Sequence, residues 1–363
     1  MLAQLSCRSF RNLTDTDWHL RPGCHLLLGA NGAGKTSLLE AIYLLATTRS
    51  FRTSQLEDCV CWGGERFHLR GEFEGTERVF LEVGWEASGR YRAVNGVSAP
   101  LARHLGVQPT VSWAAADHEI LSGQPNSRRR FLDQGIVGLK PAALAVLAHY
   151  RRALSQKREL LSVGGRGLGP WSEVLAGAIT ELVGLRQQYV DLLRVALRQT
   201  VAETGEDLPA IDVRYRPSVE ADGGADRVLA RLAEVGARER VEKRVLLGPH
   251  RDELEVLWGD RPARRVVSAG ERKLVGLVLT IARGKLLEEA RRPPIYLLDD
   301  ADAELDRERL EVLWPLLAGA PQVFVSSNRP VVWEGISGAT RWSVAGGEVG
   351  PEQGSARGSK TPT

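Results

Sequence analysis

An α/β fold, a mixed β-sheet around a Rossmann-like core joined to a second, helical lobe, is predicted by three features of the chain. The segment Gly29-Ala30-Asn31-Gly32-Ala33-Gly34-Lys35-Thr36 fits G-x-x-x-x-G-K-T and lies between an apolar stretch, His25 to Leu28, and a helical pattern, Ser37 to Leu45. Ile295 to Leu298, after Pro293-Pro294, is a continuous apolar run of the kind found in parallel strands buried on both faces. Between these two, from Pro141 to about Gln199, the apolar spacing becomes helical. With 363 residues, 43% hydrophobic and 26% charged, the chain is too apolar for a disordered protein and long enough for about two domains.

The first hundred residues read mainly as short strands. Thr76 to Gly84 alternates at Val79, Leu81 and Val83, and Tyr91 to Val94 ends at Asn95-Gly96, a hairpin signal, so an antiparallel sheet beside the glycine loop is expected. Leu147, Tyr150, Leu154 and Leu161 mark one helical stripe; Leu175, Ile179, Leu182, Leu185, Tyr189 and Leu192 mark another. The breaker run Gly164 to Pro170 separates them and predicts a helical hairpin with an ordinary core. Strand signals return at Ile211 to Tyr215 and Leu254 to Trp258, around a charged helix from Ala225 to Arg244. Val323 to Val325 is a further buried strand, after a helix from Arg307 to Leu317. The tail, Gly346 to Thr363, has the composition of a disordered segment, and the chain has no internal repeat.

Cys7, Cys24, Cys59 and Cys61 form no C-x-x-C pair, and Cys59-Val60-Cys61 has only His68 near it in sequence. Neither a zinc site nor a disulfide frame is indicated; idle thiols in a reducing cytosol are expected. Met1 to Phe10 lacks the basic segment and apolar core of a leader, and no run of about eighteen apolar residues occurs, so a soluble cytoplasmic protein with no membrane association is expected. The formal charge of +3 is unevenly spread: between Leu121 and Arg166 nine cations face two acids, a net +7. Such a run reads either as a localised basic surface or as a solvated face with locally paired charges.

The glycine loop is a phosphate cradle by its chemistry. Glycines let successive N–H groups converge on an anion, and the following helix adds roughly half a positive charge at its N-terminus. The candidate nucleotide contacts are Gly29, Ala30, Asn31, Gly32, Ala33, Gly34, Lys35, Thr36 and Ser37, with Lys35 reaching the β- and γ-phosphates of ATP and Thr36 ligating Mg²⁺. Asp299 and Asp300 stand at the C-terminal tip of a buried strand, where ligands collect in α/β sheets. Asp299 suits a hold on Mg²⁺ and Asp300 a general base that polarises water, although acidic pairs also occur there as helix caps.

Val267-Ser268-Ala269-Gly270-Glu271-Arg272-Lys273 opens a helix and resembles a divergent signature loop of the ABC-type ATPases, with Val267 in place of the usual leucine. Ala303-Glu304-Leu305-Asp306 resembles the D-loop of the same class, which adds Asp306 to the nucleotide contacts. At the expected switch histidine stands Ser326-Ser327-Asn328. Within this class, Arg49-Ser50-Phe51-Arg52-Thr53, the segment Ser122 to Asp133 and Gly248-Pro249-His250-Arg251-Asp252-Glu253-Leu254 resemble the RecF family of bacterial recombination and repair ATPases, nearly to Gly346. Trp113 to Glu119 departs from the family's Pro-Glu-Asp pattern, with only Asp117 in line.

The resemblance implies an ABC-type P-loop ATPase head with an inserted helical lobe II. Residues 1–117 and 246–345 would be the two parts of lobe I, 118–245 the insertion and 346–363 the tail. It implies an ATP-dependent homodimer in which Ser268 and Gly270 face the γ-phosphate held by the other copy. ATP would close the pair, and weak, DNA-stimulated hydrolysis would release it. Also implied are binding to gapped DNA or single-strand/double-strand junctions, and partnership with RecR and RecO in loading RecA, with roles in replication restart and SOS induction. Arg128, Arg129, Arg130, Arg151 and Arg152, then Arg49 and Arg52, are the candidate DNA contacts. The ATPase subunit of an ABC transporter shares the ATP motifs but would also want a switch histidine and a Q-loop glutamine. Heads of the Rad50/SMC type carry hundreds of heptad residues where this chain has only Leu121 to Val267.

Overall fold

The computed structural model describes residues 1–114, 119–164, 167–205, 209–300, 302, 307–334 and 338–352. The chain forms two compact units, Met1–Ala116 with Pro293–Thr363, and Asp117–Arg292.

In the first unit, β1 (Leu2–Arg8) pairs antiparallel with β2 (Thr16–His19), whose residues alternate between buried and exposed. β3 (Gly23–Leu28) is buried on both faces from Cys24 onward and leads through the glycine loop into α1 (Lys35–Thr47). That helix is buried almost all round because it packs against strands of two sheets. β4 (Phe67–Phe73), β5 (Val79–Glu86), β6 (Gly89–Val94) and β7 (Val97–Ser98) complete an antiparallel sheet of order β2-β1-β4-β5-β6-β7. Asn95 and Gly96 close its last hairpin, both at positive φ (52° and 74°), as a two-residue turn between twisted strands requires. α2 (Leu101–Val107) and β8 (Thr110–Trp113) follow.

The second unit holds α3 (Glu119–Ser122), α4 (Pro125–Leu139), α5 (Ala143–Ser162) and the 36-residue α6 (Leu168–Glu203). α5 and α6 form the expected hairpin, and Leu175, Ile179, Leu182 and Tyr189 are buried as expected, but Leu185 is half-buried. Leu192 is exposed, while Arg186, Val190, Leu193 and Leu197 are buried. β9 (Ile211–Arg216), α7 (Gly224–Glu242), β10 (Glu253–Trp258), β11 (Arg261–Pro262), α8 (Ala263–Val266) and α9 (Ala269–Glu289) complete the unit. β10 pairs with β9, and α9 packs along α6. Residues 246–292 therefore group with the helical unit, and the second boundary falls at 292 rather than 245.

The chain then returns to the first unit with β12 (Ile295–Leu298), α10 (Arg307–Ala318), β13 (Gln322–Ser327), β14 (Ala339–Ala345) and β15 (Glu348–Pro351). Their sheet runs β15-β14-β3-β13-β12-β8 and is parallel except for β15. All four residues of β12 are buried. The Gln322 side chain holds the Leu2 backbone as a strand neighbour would, with both hydrogen bonds at 2.8 Å. The tail boundary at 346 needs correction: Gly346-Gly347 is the turn of the β14–β15 hairpin, and its glycine content imitates a linker. Cys7, Cys24 and Cys59 are buried free thiols. No helix among the described residues is long and apolar enough to cross a membrane.

Candidate nucleotide-binding site

The cradle begins where β3 ends. A Cβ on Gly29 would sit 2.2 Å from the Val344 carbonyl oxygen of β14, so only glycine lets the loop pass under that strand. Gly34 caps α1 at φ 116°. The buried Lys35 donates from Nζ to the carbonyls of Gly29 and Ala30, both at 3.0 Å, inside the curl that would receive phosphates. Ser37 Oγ donates to Asn12 Oδ1 at 2.7 Å, and Asn12 Nδ2 donates to the Gly32 carbonyl at 2.8 Å. Asn12 thus braces both sides of the loop. It is absent from the sequence reading because a lone loop asparagine in another segment carries no motif signal. Gly347, the former tail, donates its N–H to the Ala33 carbonyl at 2.9 Å.

Parallel pairing sets the carboxylates beside this loop, since β12 neighbours β13 and β13 neighbours β3. Thr36 Oγ1 donates to Asp299 Oδ1 at 2.9 Å, and Ser326 Oγ donates to the same oxygen at 2.7 Å. Burial raises the Asp299 pKa above the ordinary carboxylate value, against the lowering effect of these two hydrogen bonds. A divalent cation between Thr36 and Asp299 would offset that desolvation, so the donor set fits Mg²⁺, held by a hydroxyl and a carboxylate oxygen. Asp300 adopts φ 48° and donates its N–H to Ser326 Oγ at 2.8 Å. Beyond β13, Asn328 Nδ2 donates to Asn31 Oδ1 at 2.7 Å. Asp117 and the D-loop resemblance, Asp306 included, lie outside the described residues.

In the helical unit, Ser268 is the N-cap of the 21-residue α9. Its hydroxyl accepts the Glu271 N–H, and the Glu271 carboxylate accepts the Ser268 N–H at 2.7 Å, a complete capping box. Glu271 therefore has a local structural task besides its place in the signature, and Gly270 lies in the first helical turn.

The arginines separate into structural and surface groups. Arg128 is 4% exposed, donates to Glu253 Oε2 at 2.8 Å and to the Gly123 carbonyl at 2.9 Å, and is thereby removed from the DNA-contact set. Arg129 is half-buried and donates to the Asp252 carbonyl at 3.0 Å. Arg130, Arg151, Arg152 and Arg49 are exposed; Arg151 lies 3.8 Å from Asp133, and Arg52 3.3 Å from the buried Glu40 of α1.

The segment Gly248 to Leu254 is equally structural. The fully buried Asp252 accepts from Arg186 Nη1 at 2.9 Å, from the Ser218 N–H at 2.8 Å and from the Tyr215 hydroxyl. Arg186 also donates to the Pro249 carbonyl at 2.7 Å and to Asp133 Oδ1 at 2.8 Å. Lys157 and Glu239, both buried, pair at 2.8 Å. The basic run is thus partly a set of internal ion pairs.

Comparison with known proteins places this geometry. Residues 1–344 match the family described as RecF/RecN/SMC N terminal domain. The chain is 33% identical to the DNA replication and repair protein RecF of Renibacterium salmoninarum, over 90% of this chain and 93% of that one. It is 34% identical to the RecF of Frankia alni, over 96% and 98%. Among solved structures, that of the recombination mediator protein RecF-ATPrS in the RecFOR pathway superposes with a TM-score of 0.86 at 26% identity, covering 97% of this chain and 98% of the other. An Smc head bound to the C-winged helix domain of ScpA gives 0.56 at 16% identity, over 96% and 95%, a likeness of fold alone. The fold is that of an ABC-type ATPase head.

Proposed function

This chain belongs to the RecF family of DNA replication and repair proteins, and from that premise we propose that it is an ATP-driven clamp which pairs with itself on DNA. One observation carries the reading: Thr36, next to Lys35 at the start of the helix after the β3 loop, hydrogen-bonds to Asp299 at the end of β12, with β13 between the two strands. Lys35 exchanges its loop carbonyls for the β- and γ-phosphates of ATP, backbone N–H groups from Gly29 to Ser37 take the remaining oxygens, and Thr36 and Asp299 would hold Mg²⁺, which would neutralise charge on the phosphates. Asp300 polarises the attacking water.

The γ-phosphate is also an interface. Ser268 and Gly270 at the start of α9 offer a hydroxyl, an N–H and the positive helix end to the phosphate bound by a second copy, so two ATP molecules join a two-fold pair. Hydrolysis removes the anion that both copies grip, and the pair opens. DNA across the pair adds phosphate contacts to the exposed Arg130, Arg151, Arg152 and Arg49, with Arg129, half-buried, and Arg52, 3.3 Å from Glu40, as weaker candidates. The RecFOR pathway named for the structural neighbour supports RecR and RecO as partners; gapped or junction DNA as the substrate, and loading of RecA, are what the family resemblance implies.

Sedimentation of the protein with ATP, with ADP and without nucleotide, each with and without gapped DNA, tests this. A dimer is expected with ATP alone, further stabilised by DNA, and Ser268→Arg should bind ATP as a monomer. An ATP-loaded monomer, or a Ser268→Arg protein that pairs normally, overturns the reading.

A further inference from the structure

β13 ends in Ser326-Ser327, and successive strand residues point to opposite faces. Both hydroxyls reach the segment that follows β12, from opposite sides. Ser327 Oγ donates to the buried Asp302 Oδ2 at 2.6 Å and accepts the Arg329 N–H at 2.9 Å, while Arg329 Nη1 donates to the Asp302 carbonyl at 2.8 Å. Ser326 Oγ donates to Asp299 Oδ1 and accepts the Asp300 N–H. A serine hydroxyl has one proton to give, and it goes to Asp299 Oδ1 at 2.7 Å in preference to Asp300 Oδ1, 3.5 Å away, so these bonds set the line between the two acids. Asp300 needs such a hold. Its φ of 48° lies in the left-handed region, where a residue with a Cβ stays only if its surroundings keep it there.

The same strand end touches the cradle. Asn328, one residue beyond β13, donates to Asn31 in the glycine loop. Three consecutive side chains thus tie the loop that would hold the nucleotide to the segment that carries the acids. None of the three is titratable.

We infer that Ser326 is a positioning residue for ATP hydrolysis: its hydroxyl sets the Asp299 side chain and the Asp300 backbone in one geometry, which Asn328 keeps in register with the cradle through Asn31. The inference rests on the ATPase reading above. It assigns Ser326 no contact with nucleotide. Loss of the hydroxyl should leave ATP binding in place and misplace the base, and an error near 1 Å in such a group costs about a hundredfold in rate.

The test compares wild type, Ser326→Ala, Ser326→Thr and Asn328→Ala in three measurements: ATP affinity, single-turnover hydrolysis, and amide hydrogen exchange at Asp300 in nucleotide-free protein. Ser326→Ala should keep ATP affinity within about threefold, lose about a hundredfold in hydrolysis and exchange the Asp300 amide at least about tenfold faster. Ser326→Thr, which returns the hydroxyl, should recover most of both losses. Asn328→Ala should slow hydrolysis less and leave the Asp300 amide protected. Wild-type hydrolysis in Ser326→Ala, or unchanged exchange at Asp300, overturns the inference. If the wild-type protein itself neither binds nor hydrolyses ATP, the ATPase reading fails, and exchange at Asp300 still decides whether Ser326 holds the segment.

Discussion

Asp299 in the first unit, half-buried, and Asp252 in the second, fully buried, are both carboxylates within motifs that carry the family resemblance, but their partners differ. Asp299 accepts from two hydroxyls, Thr36 and Ser326, and burial keeps its proton affinity high. Asp252 accepts from a guanidinium, a phenol and a backbone N–H, and the same guanidinium holds Asp133 and a backbone carbonyl. A centre of neutral donors can take up a cation and change state. A centre that contains its own counter-ion has no such freedom and fixes the packing of α6 against the 249–251 turn. Residues that define a family therefore need not touch its ligand.

The largest expected effect falls on the second centre. Arg186→Met leaves Asp252 buried without its cation, and breaking such a pair costs about 3–5 kcal/mol. Urea unfolding should show that loss, while ATP affinity of the folded protein stays unchanged. A variant of wild-type stability would mean that the network is not the scaffold described. Lys35→Met should give the opposite pattern. Removing one partner of a desolvated charge pair costs about 2–5 kcal/mol, here in ATP affinity, with little change in the unfolding midpoint. Equal effects of the two substitutions on stability would erase the distinction between the centres.

The same contrast governs what the sequence discloses. Gly29 to Thr36 and Ile295 to Asp300 are contiguous patterns whose chemistry is local, and the strand, loop and helix around them stand where spacing puts them. Asn12, Ser326 and Asn328 act through contacts between remote segments, which no single-chain periodicity encodes. Arg128 and Arg129 read as surface because charge is visible in a sequence, whereas the Glu253 carboxylate and the Asp252 carbonyl that meet them lie more than a hundred residues away. Gly346-Gly347 misleads for a simpler reason: a hairpin turn and a linker use the same residues.

The smallest effect concerns His250, beside Asp252. Its backbone N–H donates to the Tyr150 oxygen at 3.1 Å, its Nδ1 lies 2.7 Å from that oxygen, and its Nε2 lies 3.2 Å from the Val245 carbonyl. With Nε2 carrying the ring hydrogen to the Val245 carbonyl, Nδ1 can accept the phenol proton, so the neutral ring satisfies every contact without burying a charge. Burial lowers the pKa to about 4, and the nearby Arg158 and Arg251 push in the same direction. The unfolded chain, with an ordinary value near 6.5, binds more protons throughout that interval, so stability is complete above about pH 6.5 and declines as pH falls toward 4. The decline attributable to this ring is on the order of 2 kcal/mol. Urea titrations at pH 7.5 and 5 should resolve it as a difference between wild type and His250→Gln, in which the slope flattens. An identical slope in the two proteins would show that this ring is free to protonate in the folded state, and that the second centre is looser than the hydrogen bonds around it require.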